Sequence, residues 1–308
     1  MLSGTPWKAE AIVRLFLGLV VCVYGGSLSI LAMHFHSLPG KSGFRFYAIL
    51  IATFGLLGAA LVLLRKKWTL DNFLRRMAGS LVCLYAAFCF GLWLQKFSGP
   101  PAPSVAQMII SALSFQGAAL ILVAYFLHEH QTGWVEAFGF STRWPRALLL
   151  GFILACLFLP VGWGLQLGTA VSLEWVAKRL PQLGLQPQEQ QAVQTLQMAM
   201  TFASRLALGV VTIILAPIAE EILFRGVLYR WIRQAGFPRL ALWGTALLFA
   251  AVHLNLISFI PLALLAVGLA LLYERTGNLL APITAHALFN ALNFAILYSF
   301  QQTWSKTP

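Results

Sequence analysis

A succession of apolar runs, nearly all long enough to cross a lipid bilayer, decides the fold class of this 308-residue chain. Nine runs lie near residues 11–33, 46–64, 79–94, 106–127, 147–167, 203–229, 240–254, 256–273 and 279–300. A helix rises about 1.5 Å per residue, so roughly 20 residues cross the hydrocarbon layer of about 30 Å. The pair between Leu240 and Tyr273 is joined by only a short connection at 255–258. At 59% hydrophobic and 10% charged residues, the chain has too little polar surface to cover a soluble globule of this size. The expected fold is all-α, a polytopic transmembrane helix bundle of about nine spans.

A formal charge of +12 suggests nucleic acid in a soluble protein, but topology explains it here. With the amino terminus in the cytoplasm, fourteen of the 21 Lys and Arg residues fall on or toward the inside, including Arg230, Arg239 and Arg275, and seven toward the outside. The positive-inside rule favours this orientation over its inverse. The first apolar run is too long for a signal-peptide core and reads as a retained span. An integral, multi-pass protein of the cell membrane with a cytoplasmic amino terminus is expected, surrounded by membrane lipids and without a nucleic-acid partner. Cys22, Cys83, Cys89 and Cys156 sit inside apolar runs and read as small core residues. Trp68, Trp93, Trp134, Trp144 and Trp175 lie near span ends and read as interfacial anchors. The Gln-rich stretch 171–200, with Val193, Leu196 and Met200 at helical spacing, reads as an amphipathic helix at the outer interface.

The first four spans carry no acid or base at depth and look like scaffold, whereas the run 206–224 ends on Glu220 and Glu221 with Arg225 one turn later. Three such charges at mid-membrane cost on the order of 8 to 10 kcal/mol on an insertion scale. The eleven Leu, Ile, Val and Phe residues of that run return roughly 5 kcal/mol. The segment therefore cannot simply face lipid. Its charges must pair, point into a protein cavity or meet water, and an ionisable cluster in the membrane marks a functional site.

Two more polar pairs follow at helical spacing: Phe249 with His253, and His286 with Asn290. Residues at i and i+4 share a helix face, so His286 and Asn290 can present an imidazole and a carboxamide to one cavity. Alternatively, a lone buried His is a hydrogen-bonded core residue and an intramembrane Asn joins helices. Depth argues for the functional reading. Measured along straight helices, Glu220 lies roughly 15 Å from Arg230, His253 roughly 21 Å from Arg239, and His286 roughly 16 Å from Arg275, which puts all three in one slab. Such a cluster suits amide hydrolysis, with a desolvated carboxylate as base, an imidazole holding water, and a His and an Asn as donors to an oxyanion. Glu221 and Arg225, four apart, are expected to form an ion pair that leaves Glu220, about 100° round the helix, facing the cavity.

These residues resemble a known family. Residues 216–226 fit an E-E-x-x-x-R motif, 249–253 fit F-x-x-x-H, and 286–290 fit H-x-x-x-N, with Thr276, Gly277 and Asn278 shortly before the last. Their order on hydrophobic helices is similar to that of the CPBP intramembrane proteases, which include CAAX prenyl endopeptidases and bacteriocin-processing enzymes. The resemblance covers roughly the last hundred residues. It implies that Glu220 and His253 activate water while His286 and Asn290 stabilise the oxyanion, with Phe249 in support. The implied activity is endopeptidase cleavage of a membrane-associated or lipidated protein or peptide. Residues 141–308 would then form a membrane-embedded protease core, with motifs in 216–290, behind an amino-terminal scaffold of about four spans at 1–140. No cofactor is favoured. A catalytic zinc held by Glu220, His253 and His286 is the competing arrangement, although no H-E-x-x-H helix is present. The alternative outside enzymology is a catalytically silent scaffold or immunity-type protein of the same fold.

Overall fold

Every apolar run of the sequence is helical in the structure, a computed structural model that describes residues 7–38, 43–65, 68–99, 104–141, 143–183 and 201–304. Among the described residues eight helices are long and apolar enough to cross a membrane. In chain order these are α1 (Ala9–His36), α2 (Phe44–Arg65), α3 (Leu70–Ser98), α4 (Val105–Glu129), α6 (Trp144–Arg179), α7 (Phe202–Gln234), α9 (Leu256–Thr276) and α10 (Leu280–Trp304). Two shorter helices, α5 (Trp134–Phe138) and α8 (Pro238–Ala251), complete the set, and no strand occurs among the described residues. The protein is a multi-pass, all-α membrane bundle.

The run at 240–254 is the one that departs from a full span. Helix α8 stops at Ala251, and its 14 residues reach only about 21 Å. Termination is local. Leu254 adopts a left-handed conformation at φ 50°, which an α-helix cannot continue through. Asn255 then caps α9, its Oδ1 accepting from the Ser258 backbone N–H at 2.9 Å and from the Ser258 hydroxyl at 2.6 Å. His253 is thereby placed in the turn between two helices rather than inside a span.

Helix α6 departs the other way. Its 36 residues extend about 54 Å, well beyond one hydrocarbon thickness. The stretch 171–179, expected to open an interfacial segment, is the end of this helix; Val193, Leu196 and Met200 lie outside the described residues.

The described residues divide into two compact units, one over Trp7–His130 and one from Gln131 onward. In the first, α1, α2 and α3 share an apolar core that includes Phe35 and Phe46, whose rings stack with centroids 3.7 Å apart, and α4 packs against α1. Its charges do not all lie in loops as expected. Arg14, inside α1, is buried and its Nη2 donates to both oxygens of Glu129 at 2.6 and 2.7 Å. Trp68, read as an interfacial anchor, packs into protein instead. It is 5% exposed, with its indole N–H on the Leu63 carbonyl. Cys89 and Cys156 are exposed on their helices rather than set in the core, and all four cysteines are free.

In the second unit α10 crosses α6 closely. A Cβ added at Gly151 of α6 would come within 2.5 Å of the Ala281 carbonyl oxygen of α10, so only glycine permits this approach. The Trp163 indole N–H, donating to Asn293 Oδ1 at 2.8 Å, ties the same two helices further along. Short helix α5 is fastened to the carboxy-terminal helices through its own free carbonyls. Arg230 donates to the Ala137 carbonyl at 2.7 Å, and the Leu279 N–H to that of Phe138 at 3.0 Å. Arg230, expected at a cytoplasmic helix end, is therefore buried against protein. These ties hold α7 and the start of α10 together just beyond the polar cluster.

Candidate active site

Helix α7 carries the acidic pair in an unusual setting. Only Ala216–Glu221 is α-helical around it; the flanking segments Val210–Leu215 and Ile222–Tyr229 are π-helical. A π segment inserts a residue per turn, widens the helix and leaves carbonyls poorly paired, which is why such segments recur at functional sites. Pro217 is the second residue of the central stretch and is buried. Having no N–H, it cannot complete the ladder behind it.

Glu221 is fully buried and Glu220 is 9% exposed. The expected ion pair is present, with Arg225 Nη1 2.6 Å from Glu221 Oε1. Arg225 is itself 1% exposed, and its guanidinium is satisfied on two further sides. Nη2 donates to the Ala266 carbonyl of α9 at 3.2 Å, and the guanidinium carbon lies 4.7 Å above the Phe249 ring. A buried cation with a carboxylate, a carbonyl and an aromatic face as partners is compensated rather than stranded.

His286 of α10 completes the cluster in a way the helical spacing does not reveal. Its Nδ1 lies 2.9 Å from Glu221 Oε1, the same oxygen that receives Arg225, and its Nε2 lies 3.9 Å from Glu220 Oε2. The imidazole thus stands between the two adjacent carboxylates. A carboxylate only accepts, so the contact at Nδ1 requires that nitrogen to carry its hydrogen. Nε2 then faces Glu220, as an acceptor in neutral imidazole and as a donor in imidazolium. Glu221 is consequently more than the partner of Arg225; it fixes the orientation of His286.

His253 reaches the cluster indirectly. Its Nδ1 donates to the Phe249 carbonyl at 2.7 Å, capping the end of α8 and directing Nε2 away from the helix. Phe249, 0% exposed, joins the parts: its ring centroid lies 4.9 Å from that of His253, 5.7 Å from His286 and 5.1 Å from Phe224. Asn290, one turn beyond His286, donates its Nδ2 to the Thr212 carbonyl in the first π segment at 2.9 Å. Only an amine hydrogen can serve that carbonyl, so the carboxamide is fixed in one orientation and its second N–H remains for another acceptor.

Of the residues picked out from sequence, the structure brings Glu220, Glu221, Arg225, Phe249 and His286 into direct mutual contact. His253 is joined through Phe249 and Asn290 through Thr212. The roles of Thr212 and of the Ala266 carbonyl were not legible, since backbone acceptors leave no residue-type signal. Among the described residues no three His, Cys, Asp or Glu side chains are placed to share an ion. His286 and His253 both turn Nδ1 to protein acceptors, which leaves Nε2 as the outward-facing nitrogen of each ring.

Known proteins supply an independent comparison for this part of the chain. Residues 202–292 match the family described as Type II CAAX prenyl endopeptidase Rce1-like, bearing out the resemblance read from the three motifs. An uncharacterised protein of Bacillus subtilis (strain 168), YpbD, is 40% identical over 92 residues, which is 29% of this chain. The match spans less than half, 44%, of that relative's length. No solved structure matches. The Rce1-like segment therefore takes in the whole polar cluster, from Thr212 to Asn290.

Proposed function

We propose that this protein is an intramembrane endopeptidase that hydrolyses a peptide bond of a membrane-associated or lipidated protein or peptide. The observation that carries this reading is His286 held between Glu220 and Glu221: a buried acid faces an imidazole whose far nitrogen is already fixed by a second acid. Orientation of an imidazole by a carboxylate, with a reactive group on its other nitrogen, is the geometry general acid–base catalysis requires. The Rce1-like match over the same residues supports the same reaction class.

In this mechanism Glu220 takes a proton from water held beside it and His253, and the resulting hydroxide attacks the scissile carbonyl carbon. Charge moves to the carbonyl oxygen. In its imidazolium form His286 keeps Nδ1–H on Glu221 and offers Nε2–H, on the side of Glu220, to that oxygen, and the second N–H of Asn290 joins it. Collapse of the tetrahedral intermediate breaks the C–N bond, and Glu220 returns its proton to the leaving amine. Water is consumed and an acid and an amine are released, so the step balances without a further reactant. Arg225 pairs with the Glu221 oxygen that also accepts from His286. No metal takes part in this scheme. The protein is placed in the cell membrane, and the distribution of Lys and Arg supports an amino terminus in the cytoplasm.

Comparison of peptide termini in membranes carrying wild-type or Glu220→Gln protein tests the reading. A cleavage product present with the wild type and missing with the variant is expected. Identical sets of termini, with the wild type shown to be inserted and folded, would overturn it.

A further inference from the structure

We infer that Pro217 is a positioning residue for Asn290, acting through the hydrogen that its backbone nitrogen lacks. This rests on the reading of Asn290 as an oxyanion donor. In the π segment of α7 the ladder runs from residue i to i−5, and Ala216 follows it, donating its N–H to the Val211 carbonyl. The next rung would run from residue 217 to Thr212. Proline has no N–H, so that rung cannot form and the Thr212 carbonyl is left without its helical donor. Asn290 Nδ2 occupies the vacancy at 2.9 Å from a helix 78 residues away in sequence.

The consequence reaches the reacting atoms. An unpaired carbonyl within a membrane bundle is costly, so the orphaned Thr212 oxygen is a strong reason for Asn290 to stay in one orientation. Held by one N–H, the carboxamide directs the other along a fixed vector, and a preorganised donor is what oxyanion stabilisation needs. Because Pro217 stands three residues before Glu220, the same short stretch that carries the proposed base also sets the orientation of the proposed donor. Residue 217 has no contact with substrate in this scheme; its contribution is an absent competitor for Thr212.

The test separates the missing N–H from the proline ring. Pro217→Ala restores an N–H that can pair with Thr212, whereas the α-hydroxy acid analogue of alanine at position 217 has the same methyl group and no N–H. In reconstituted protein Pro217→Ala should lower kcat about tenfold or more, short of the roughly 10²- to 10³-fold loss typical of deleting a donor outright, with KM little changed. The hydroxy acid variant should stay within about threefold of wild type. Equal losses in both variants would assign the effect to the ring, and full activity in Pro217→Ala would remove the role altogether; either overturns the inference. A second readout does not require proteolysis. Hydrogen exchange of the Asn290 carboxamide in 15N-Asn-labelled protein should be slow in the wild type and in the hydroxy acid variant, and faster in Pro217→Ala. Unchanged exchange in Pro217→Ala overturns the inference, while this expected pattern in a protein without protease activity would uphold the positioning and reject only the reaction.

Discussion

His286 Nδ1 and Glu221 Oε1 lie 2.9 Å apart although 65 residues separate them in sequence. The same oxygen accepts Arg225 at 2.6 Å, so one buried carboxylate joins a cation on its own helix to an imidazole on another. This shared acceptor organises the site.

Removing either charge of the Glu221 and Arg225 pair leaves the other buried without compensation, at a cost of about 3 to 5 kcal/mol. Glu221→Ala and Arg225→Ala should each lower the thermal midpoint of detergent-solubilised protein. The double variant should lose less than the two singles combined. Strictly additive losses would show that the pair is not coupled.

Glu221→Gln keeps the shape of the side chain and one acceptor oxygen while removing the charge that orients His286. We expect kcat to fall about 10²-fold or more, with a smaller loss of thermal stability than Glu221→Ala shows. The ratio of the two effects is read from activity and unfolding of the same preparations. Wild-type turnover in Glu221→Gln would confine Glu221 to a packing role.

The spans were legible because a bilayer imposes a length, and composition reports length directly. The end of α8 was not, since Val252 and Leu254 are as apolar as the helix before them; the left-handed backbone at Leu254 and the Asn255 cap stop it. Glu221 with Arg225 could be read from spacing, as both lie on one helix. Glu221 with His286, Asn290 with Thr212, and Arg14 with Glu129 could not, because each joins distant parts of the chain and pattern within one helix carries no information about them. Spacing to Arg225 tells the two adjacent glutamates apart, but only the position of α10 shows that Glu221 also holds His286 while Glu220 faces the other nitrogen.

Phe249 touches Arg225, His286, His253 and Phe224 at once. Phe249→Ala should destabilise by about 3 to 5 kcal/mol through the cavity alone. Phe249→Leu retains much of the volume but not the ring face over the guanidinium, and should lose about 1 to 2 kcal/mol. Thermal unfolding of both variants checks the order, and equal losses would argue against a contribution from the ring face.

The donor geometry also leads to an expectation for metal. Purified protein should carry no stoichiometric zinc and should keep its activity after dialysis against a strong chelator. One equivalent of zinc by elemental analysis, with activity lost on removal and restored on return, would make Glu220, His253 and His286 ligands and displace the scheme based on Glu220 alone.

The most direct measurement is single-turnover cleavage of a substrate peptide by reconstituted protein in 18O-labelled water. The account predicts that the wild type places one labelled oxygen in the new carboxyl terminus. It also predicts that Glu220→Gln, with an unchanged thermal midpoint, cleaves at least about 10²-fold more slowly, the loss of a general base. Near-wild-type cleavage by folded Glu220→Gln would contradict it.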